Sequence, residues 1–115
     1  MPKAQETILE IDLNALTHNF NYLKTKLQPN TKFLAVVKAF AYGSDAVEIA
    51  KHLQNLNVDY FAVAYTYEGV ALRNAGVTTP ILVLHPQLIN LKTIIKYCLE
   101  PNIYNTKVSN YKLNI

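Results

Sequence analysis

Residues 33–43 read FLAVVKAFAYG, and this stretch decides the interpretation of the chain. Its first five residues are apolar, which is the length and character of a strand buried on both faces of a parallel sheet. The run ends at Lys38, whose stem is then expected to lie among apolar side chains. Partial desolvation favours the neutral amine, and a neutral lysine can attack an aldehyde to form a Schiff base. From spacing alone, a solvated lysine at a strand end is the more common reading.

Composition limits the classes of protein to which the chain can belong. Its 115 residues suffice for a single domain, and the 50% of hydrophobic residues excludes a disordered chain. The net charge of +3 comes without a basic cluster, which argues against nucleic-acid binding. The single cysteine, Cys98, forms no internal disulfide, and the scattered histidines predict no metal site. No apolar segment has the length of a membrane span or the character of a leader, so we expect a cytoplasmic protein without membrane association.

Apolar patterns along the chain alternate between strand and helix. Leucines and phenylalanine recur at helical spacing from Leu16 to Leu27, and comparable helices are expected between the later strands. Strands are predicted at residues 8–13, 33–37, 60–64 and 81–84, and around residues 103–104. This alternation is typical of parallel α/β folds, either an open doubly wound sheet or part of a (β/α)8 barrel. No G-x-G-x-x-G turn follows any strand, which argues against dinucleotide binding.

Several polar residues and one glycine are placed where helices are expected to begin or end. Asn14, Asp45 and Thr66 each precede an apolar helical pattern and are predicted N-caps. Gly76 follows the third helical pattern, where a left-handed residue is favoured after the C-terminus of a helix.

The motif AVVKAFAYG at residues 35–43 closely resembles the pyridoxal-phosphate lysine motif of bacterial alanine racemases, commonly A-V-V-K-A-x-A-Y-G. The resemblance extends over residues 8–105, because other segments follow in the family's order and spacing. These segments are residues 9–16, 61–64, 68–73 and 80–84. The sequences of residues 38–44 and 99–104 are most similar to those of family members from the Bacteroidetes group.

The resemblance implies a fold, a cofactor and a site. Residues 1–115 would be part of the N-terminal, pyridoxal-phosphate-binding barrel domain, about half of a (β/α)8 barrel, with the family's C-terminal β-domain absent. Lys38 would bind pyridoxal 5'-phosphate as a Schiff base and act as one of two bases. Tyr42 would bind the cofactor phosphate, and Val36 and Leu84 would pack near its ring. The implied reaction interconverts L-alanine and D-alanine for peptidoglycan precursors, in an enzyme that is a homodimer when full-length.

The sequence departs from the family pattern at a few positions beside this motif. Phe40 stands where asparagine is frequent, residues 44–45 are Ser-Asp instead of the frequent His-Gly, and His85 replaces a common glycine. The carboxylate of Asp45 would repel the cofactor phosphate unless it caps the following helix. His85 is expected in a solvated loop more than at the mouth of a pocket.

The resemblance also defines what the 115 residues are not expected to supply. The family's second base is a tyrosine of the partner subunit's C-terminal domain, and two family arginines contact the pyridine ring. We therefore expect a fragment that carries Lys38 but lacks the second base and these arginines. We also expect an open sheet edge, which promotes self-association. Two alternatives are a non-enzymatic pyridoxal-phosphate carrier, whose motif usually reads V-S-K, and a remnant that binds no cofactor.

Overall fold

A computed structural model describes residue 8, residues 10–43 and residues 45–103. It contains one sheet of four parallel strands, in the spatial order β1-β2-β3-β4. The strands are β1 (Leu34–Val36), β2 (Tyr60–Val63), β3 (Ile81–Val83) and β4 (Glu100–Pro101). The helices are α1 (Leu13–Thr25), α2 (Lys38–Gly43), α3 (Ala46–Asn55), α4 (Thr66–Asn74) and α5 (Leu91–Lys96), the last preceded by a 3-10 turn (Leu88–Asn90). The predicted parallel α/β alternation is confirmed, with half the strands of a (β/α)8 barrel.

The hydrophobic core lies between one face of the sheet and the helices. The register aligns Ala35, Phe61 and Ile81 across β1, β2 and β3, and Phe61 and Ile81 are completely buried. Side chains alternate between the two faces of a strand, so these residues point toward the helices. One core cluster joins the sheet to four helices through Phe20 of α1, Ala50 and Leu53 of α3, Leu72 of α4, and Leu91 and Ile94 of α5.

The opposite face of the sheet, which we call the inner face, is open at β1. Leu34 is 43% exposed and Val36 is 39% exposed. The prediction that residues 33–37 form a strand buried on both faces is therefore wrong for β1. The physical reason is that the helices of the described part cover only the face on which Ala35 lies.

The predicted strand at residues 8–13 is also wrong for the residues that the structure describes there. Residues 10–12 have no regular secondary structure, and Leu13 already belongs to α1. The cap of α1 is Asp12, whose Oδ1 accepts a hydrogen bond from the Ala15 backbone N–H at 3.1 Å, and not the predicted Asn14. A strand needs a neighbour for its backbone hydrogen bonds, and the described residues 10–12 pair with none of the four strands.

Two other element boundaries differ from the prediction. Thr66 is the first residue of α4 and Tyr65 occupies the N-cap position. The fourth strand lies at Glu100–Pro101, where Pro101 aligns with Val83, instead of around residues 103–104. Residue 104 is outside the described part, and residue 103 follows β4 as coil. The predicted left-handed Gly76 is confirmed, with φ of 98°.

Candidate functional site

The carboxyl edge of the sheet brings Lys38 and Leu84 to the same level. Val36, Ala62 and Leu82 are aligned across β1, β2 and β3. The ladder continues past the strand ends, because the backbone N–H of Leu84 donates to the Val63 carbonyl at 2.9 Å. Lys38 and Leu84 each follow this aligned row by two residues along the chain, at the carboxyl ends of β1 and β3. Two strand spacings separate β1 from β3, which is about 10 Å.

Small side chains form the floor between these two residues. Ala62 lies in β2 and Ala64 directly follows it, while Val36 lies in β1 on one side and Leu84 follows β3 on the other. We call the apolar surface of Val36, Ala62 and Leu84 at this end of the sheet the trough. Lys38, which carries a primary amine, follows Val36 by two positions and begins α2. A planar aromatic ring that carries an aldehyde fits this chemistry, since the ring needs an apolar floor and the aldehyde needs the amine.

The backbone turns sharply after Lys38. The backbone N–H of Val37 still donates to the Ala62 carbonyl at 2.9 Å, which keeps the chain in the sheet up to that residue. Ala39 and Ala41 then have positive φ values of 51° and 56°. This left-handed conformation costs an alanine about 1–2 kcal/mol, and such residues cluster at functional sites.

Glu68 links this turn to the neighbouring strand and helix. Its Oε2 accepts a hydrogen bond from the Ala39 backbone N–H at 2.8 Å. Its Oε1 accepts two more, from the backbone N–H groups of Ala64 and Tyr65, each at 2.9 Å. One carboxylate therefore joins the peptide that follows Lys38 to the start of α4. Residues 68–73 resemble the family pattern, but the sequence alone gives Glu68 no role in the site, because its local signal is an acidic side chain in the first turn of a helix.

The candidate phosphate end of the site contains Tyr42 and Asp45. Tyr42 belongs to α2, but its side chain lies outside the described part, so its contacts stay a prediction. Asp45 is the N-cap of α3, as predicted, and its Oδ1 accepts hydrogen bonds from the backbone N–H groups of Val47 at 3.0 Å and Glu48 at 3.2 Å. The negative charge of Asp45 is thus directed at the N-terminus of α3, which it stabilises.

The three histidines are not brought together. His85 is exposed, its ring centroid lies 5.9 Å from that of Tyr65, and both line an open cleft of about 530 Å³ between α4 and the 3-10 turn. His52 Nε2 lies 2.5 Å from Thr17 Oγ1, between α3 and α1, and His18 is exposed on α1. Among the described residues, no group of three or more His, Cys, Asp or Glu side chains has a metal-binding arrangement.

Comparison with known families identifies the chain. The N-terminal domain family of alanine racemase matches residues 11–111. The chain belongs to the alanine racemase family. Among curated relatives, an alanine racemase of Caldanaerobacter subterraneus is 41% identical over 102 residues, which cover 88% of this chain and 26% of that protein. An alanine racemase of Thermodesulfovibrio yellowstonii is 41% identical over 106 residues, which cover 89% of this chain and 28% of that protein.

Solved alanine racemase structures share the fold of the described strands and helices. An alanine racemase of Clostridium difficile superposes with a TM-score of 0.86 at 38% identity, covering 89% of this chain and 28% of that one. An alanine racemase of Bacillus anthracis with bound L-Ala-P superposes with a TM-score of 0.88 at 30% identity, covering 99% of this chain and 30% of that one. The chain therefore corresponds to the N-terminal part of the alanine racemase barrel and spans 26–30% of the length of these relatives.

The sequence also predicts a bacterial group for the chain and the absence of a membrane span. The alanine racemase relatives do not support the assignment to the Bacteroidetes group, since those above come from Caldanaerobacter, Thermodesulfovibrio, Clostridium and Bacillus. In the described part, every helix is too short or too polar to cross a membrane.

Proposed function

We propose that this chain contributes the cofactor-binding lysine of an alanine racemase, which interconverts L-alanine and D-alanine for peptidoglycan precursors in the cytoplasm. Residues 1–115 would form part of the pyridoxal-phosphate-binding barrel domain of an enzyme that is a homodimer when full-length. The observation that carries the proposal is the position of Lys38. It follows the last residue of β1 by two positions, at the carboxyl edge of a parallel sheet, where barrel enzymes build their sites.

The chemistry of Lys38 and of the apolar residues beside it is compatible with pyridoxal 5'-phosphate. Lys38 Nζ would hold the cofactor through its aldehyde carbon, Val36 and Leu84 would lie beside its ring, and Tyr42 would bind its phosphate. When bound, the cofactor supplies an electron sink that makes the Cα proton of an amino acid removable. Lys38 Nζ would take that proton, or return it once protonated, on its own face of the substrate.

Racemisation needs a base on each face of the planar carbon, and Lys38 provides one. The family resemblance assigns the other to a tyrosine of a partner subunit's C-terminal domain, which none of these residues matches. We therefore expect the 115-residue chain to bind the cofactor at Lys38 and not to convert L-alanine to D-alanine by itself.

Borohydride trapping tests the assignment of Lys38. The chain is incubated with pyridoxal 5'-phosphate and reduced, and the modified lysines are mapped by mass spectrometry. We expect one adduct per chain on Lys38, which is lost in Lys38→Ala and retained in the control Lys51→Ala, where the altered lysine is an exposed residue of α3. Labelling scattered over the surface lysines in the unmodified chain would contradict the proposal.

A chiral assay of alanine tests the second part independently. Sustained conversion of L-alanine to D-alanine by the purified 115-residue chain would show that these residues supply both bases. That result would overturn the expectation of a single base and would leave the assignment of Lys38 intact.

A further inference from the structure

We propose that Glu68 is a positioning residue for Lys38: its carboxylate fixes the peptide between Lys38 and Ala39 and so sets the direction of the lysine side chain. This inference rests on the proposed function, because the position of Lys38 matters only if its amine binds the cofactor. Nothing in the family resemblance or the comparisons assigns a role to Glu68.

The hydrogen bond to Ala39 acts at the point where the backbone is strained. The N–H of Ala39 belongs to the peptide unit that directly follows the Lys38 Cα, and Glu68 Oε2 accepts from it at 2.8 Å. Ala39 has a φ of 51°, a conformation that alanine leaves unless other contacts hold it. A charged acceptor makes a stronger hydrogen bond than a neutral one and is suited to hold such a turn. If this bond is lost, the Lys38–Ala39 peptide can rotate, and the Lys38 Cβ changes direction.

Glu68 itself is held on a rigid support. Its second oxygen accepts from the N–H groups of Ala64 and Tyr65, at the end of β2 and the start of α4. Leu72, one turn after Glu68, packs in the core and is 1% exposed. Gly69, the residue next to Glu68, contacts Leu99 closely: a Cβ at Gly69 would lie 2.9 Å from a Leu99 methyl carbon. The carboxylate therefore holds the turn after Lys38 in a fixed position relative to β2 and α4, as a preorganised site requires.

The same carboxylate connects the segment that follows β1 with the segment that follows β2, beside the trough. Ala64 directly follows β2, and Ala39 follows Lys38 in α2. Because one side chain binds the backbone at both places, Glu68 fixes the Lys38–Ala39 peptide relative to the end of β2. A loop lysine without this link would sample several orientations, and fewer of its conformers would reach an aldehyde on the floor.

The variant Glu68→Gln separates this role from simple capping of the helix. Glutamine keeps one oxygen, which can still accept from Ala64 and Tyr65, but its amide nitrogen cannot accept from Ala39. Glu48→Gln is the matched control, because Glu48 is also the third residue of its helix, α3, and is exposed. Thermal melting of both variants reports whether the fold is retained.

Two measurements decide the proposal. Amide hydrogen exchange by NMR should show that the Ala39 N–H loses protection by at least about tenfold in Glu68→Gln and not in Glu48→Gln, while the Val37 N–H stays protected in both. In borohydride trapping, the ratio of the Lys38 adduct to the adducts on other lysines should fall by at least about tenfold in Glu68→Gln only.

The outcomes separate this inference from the proposed function. Unchanged protection of Ala39, or unchanged selectivity for Lys38, in Glu68→Gln would overturn the role of Glu68. If the unmodified chain shows no selective label on Lys38, the proposed function fails. In that case positioning toward the cofactor fails with it, and the Ala39 exchange rate still decides whether Glu68 holds the Lys38–Ala39 peptide.

Discussion

The hydroxyl of Tyr60 donates a hydrogen bond to Glu100 Oε1, which links β2 to β4 across β3. Tyr60 aligns with Leu34 and therefore lies on the inner face of the sheet, toward the amino end of the strands. The hydrogen bond to the carboxylate is the main reason that the pKa of Tyr60 is raised above its ordinary value of 10.0, with burial and the negative charge of Glu100 adding to it. Folding thus favours the neutral phenol.

This shift predicts a loss of stability at alkaline pH. A raised pKa in the folded state means that the contribution of Tyr60 is complete below the unfolded pKa of 10.0 and is lost as the pH rises through the folded pKa. We expect Tyr60→Phe to lower the melting temperature at about pH 8, and the difference from the unmodified chain to narrow at about pH 11. Melting curves of both proteins, followed by circular dichroism, measure this difference. A gap that stays constant across the pH range would contradict the assignment.

The elements α4 and α5 are connected by Arg73, the only arginine of the chain. Its Nε donates to the Tyr97 carbonyl at 2.9 Å and its Nη2 to the Cys98 carbonyl at 3.1 Å, both at the end of α5. Its Nη1 donates to the carbonyls of Val77 at 2.9 Å and Thr79 at 2.8 Å, in the segment that leads to β3. The planar guanidinium thus satisfies four backbone acceptors at the ends of three elements.

Replacing Arg73 with lysine should loosen this junction. An ammonium keeps the charge but has no fork of donors, so it cannot reach all four carbonyls at once. We expect Arg73→Lys to lower the free energy of unfolding by about 2 kcal/mol, measured by urea denaturation. Lys51→Arg, the reverse change on the exposed side of α3, should have almost no effect. Equal stability of the two variants would show that the four hydrogen bonds contribute little.

At the scale of elements, the sequence correctly predicts the strands, helices, caps and turns that depend on a local pattern of residues. The buried strands β2 and β3, the helices α3 and α4, the Asp45 cap and the left-handed Gly76 follow from apolar periodicity and turn chemistry. The strand expected at residues 8–13 fails because pairing depends on a neighbour that local pattern does not reveal.

For the candidate site too, the features that the sequence does not predict are those that depend on long-range contacts. The motif predicts Lys38 just after β1 and Val36 within it, and the parallel register places the segment that ends at Leu84 at the same edge of the sheet. The hydrogen bond between Glu68 and Ala39 spans 29 positions of the chain and depends on the parallel register of β1 and β2, so residue types alone do not predict it.

At the scale of the whole molecule, the described helices cover one face of the sheet, while the inner face is open at β1. In the described part of the chain, β1 and β4 are the outer strands, and each pairs on one side only. Leu34 and Val36 are 43% and 39% exposed on the inner face, next to the unpaired edge of β1. An exposed apolar face beside a free strand edge favours association with a second copy, because that copy can bury the face and pair with the edge.

We therefore expect the 115-residue chain to self-associate, and Leu34→Lys to reduce this association. Leu34 is already 43% exposed, so the lysine has access to water and should change the fold little, while its charge opposes pairing at the β1 edge. Ile89→Lys is the matched control, since Ile89 is 86% exposed but lies in the 3-10 turn, away from β1. Light scattering coupled to size exclusion, at several protein concentrations, measures the mean mass. A monodisperse monomer with a cooperative melt for the unmodified chain would contradict the expectation, and an equal effect of both variants would show that the inner face is not the contact surface.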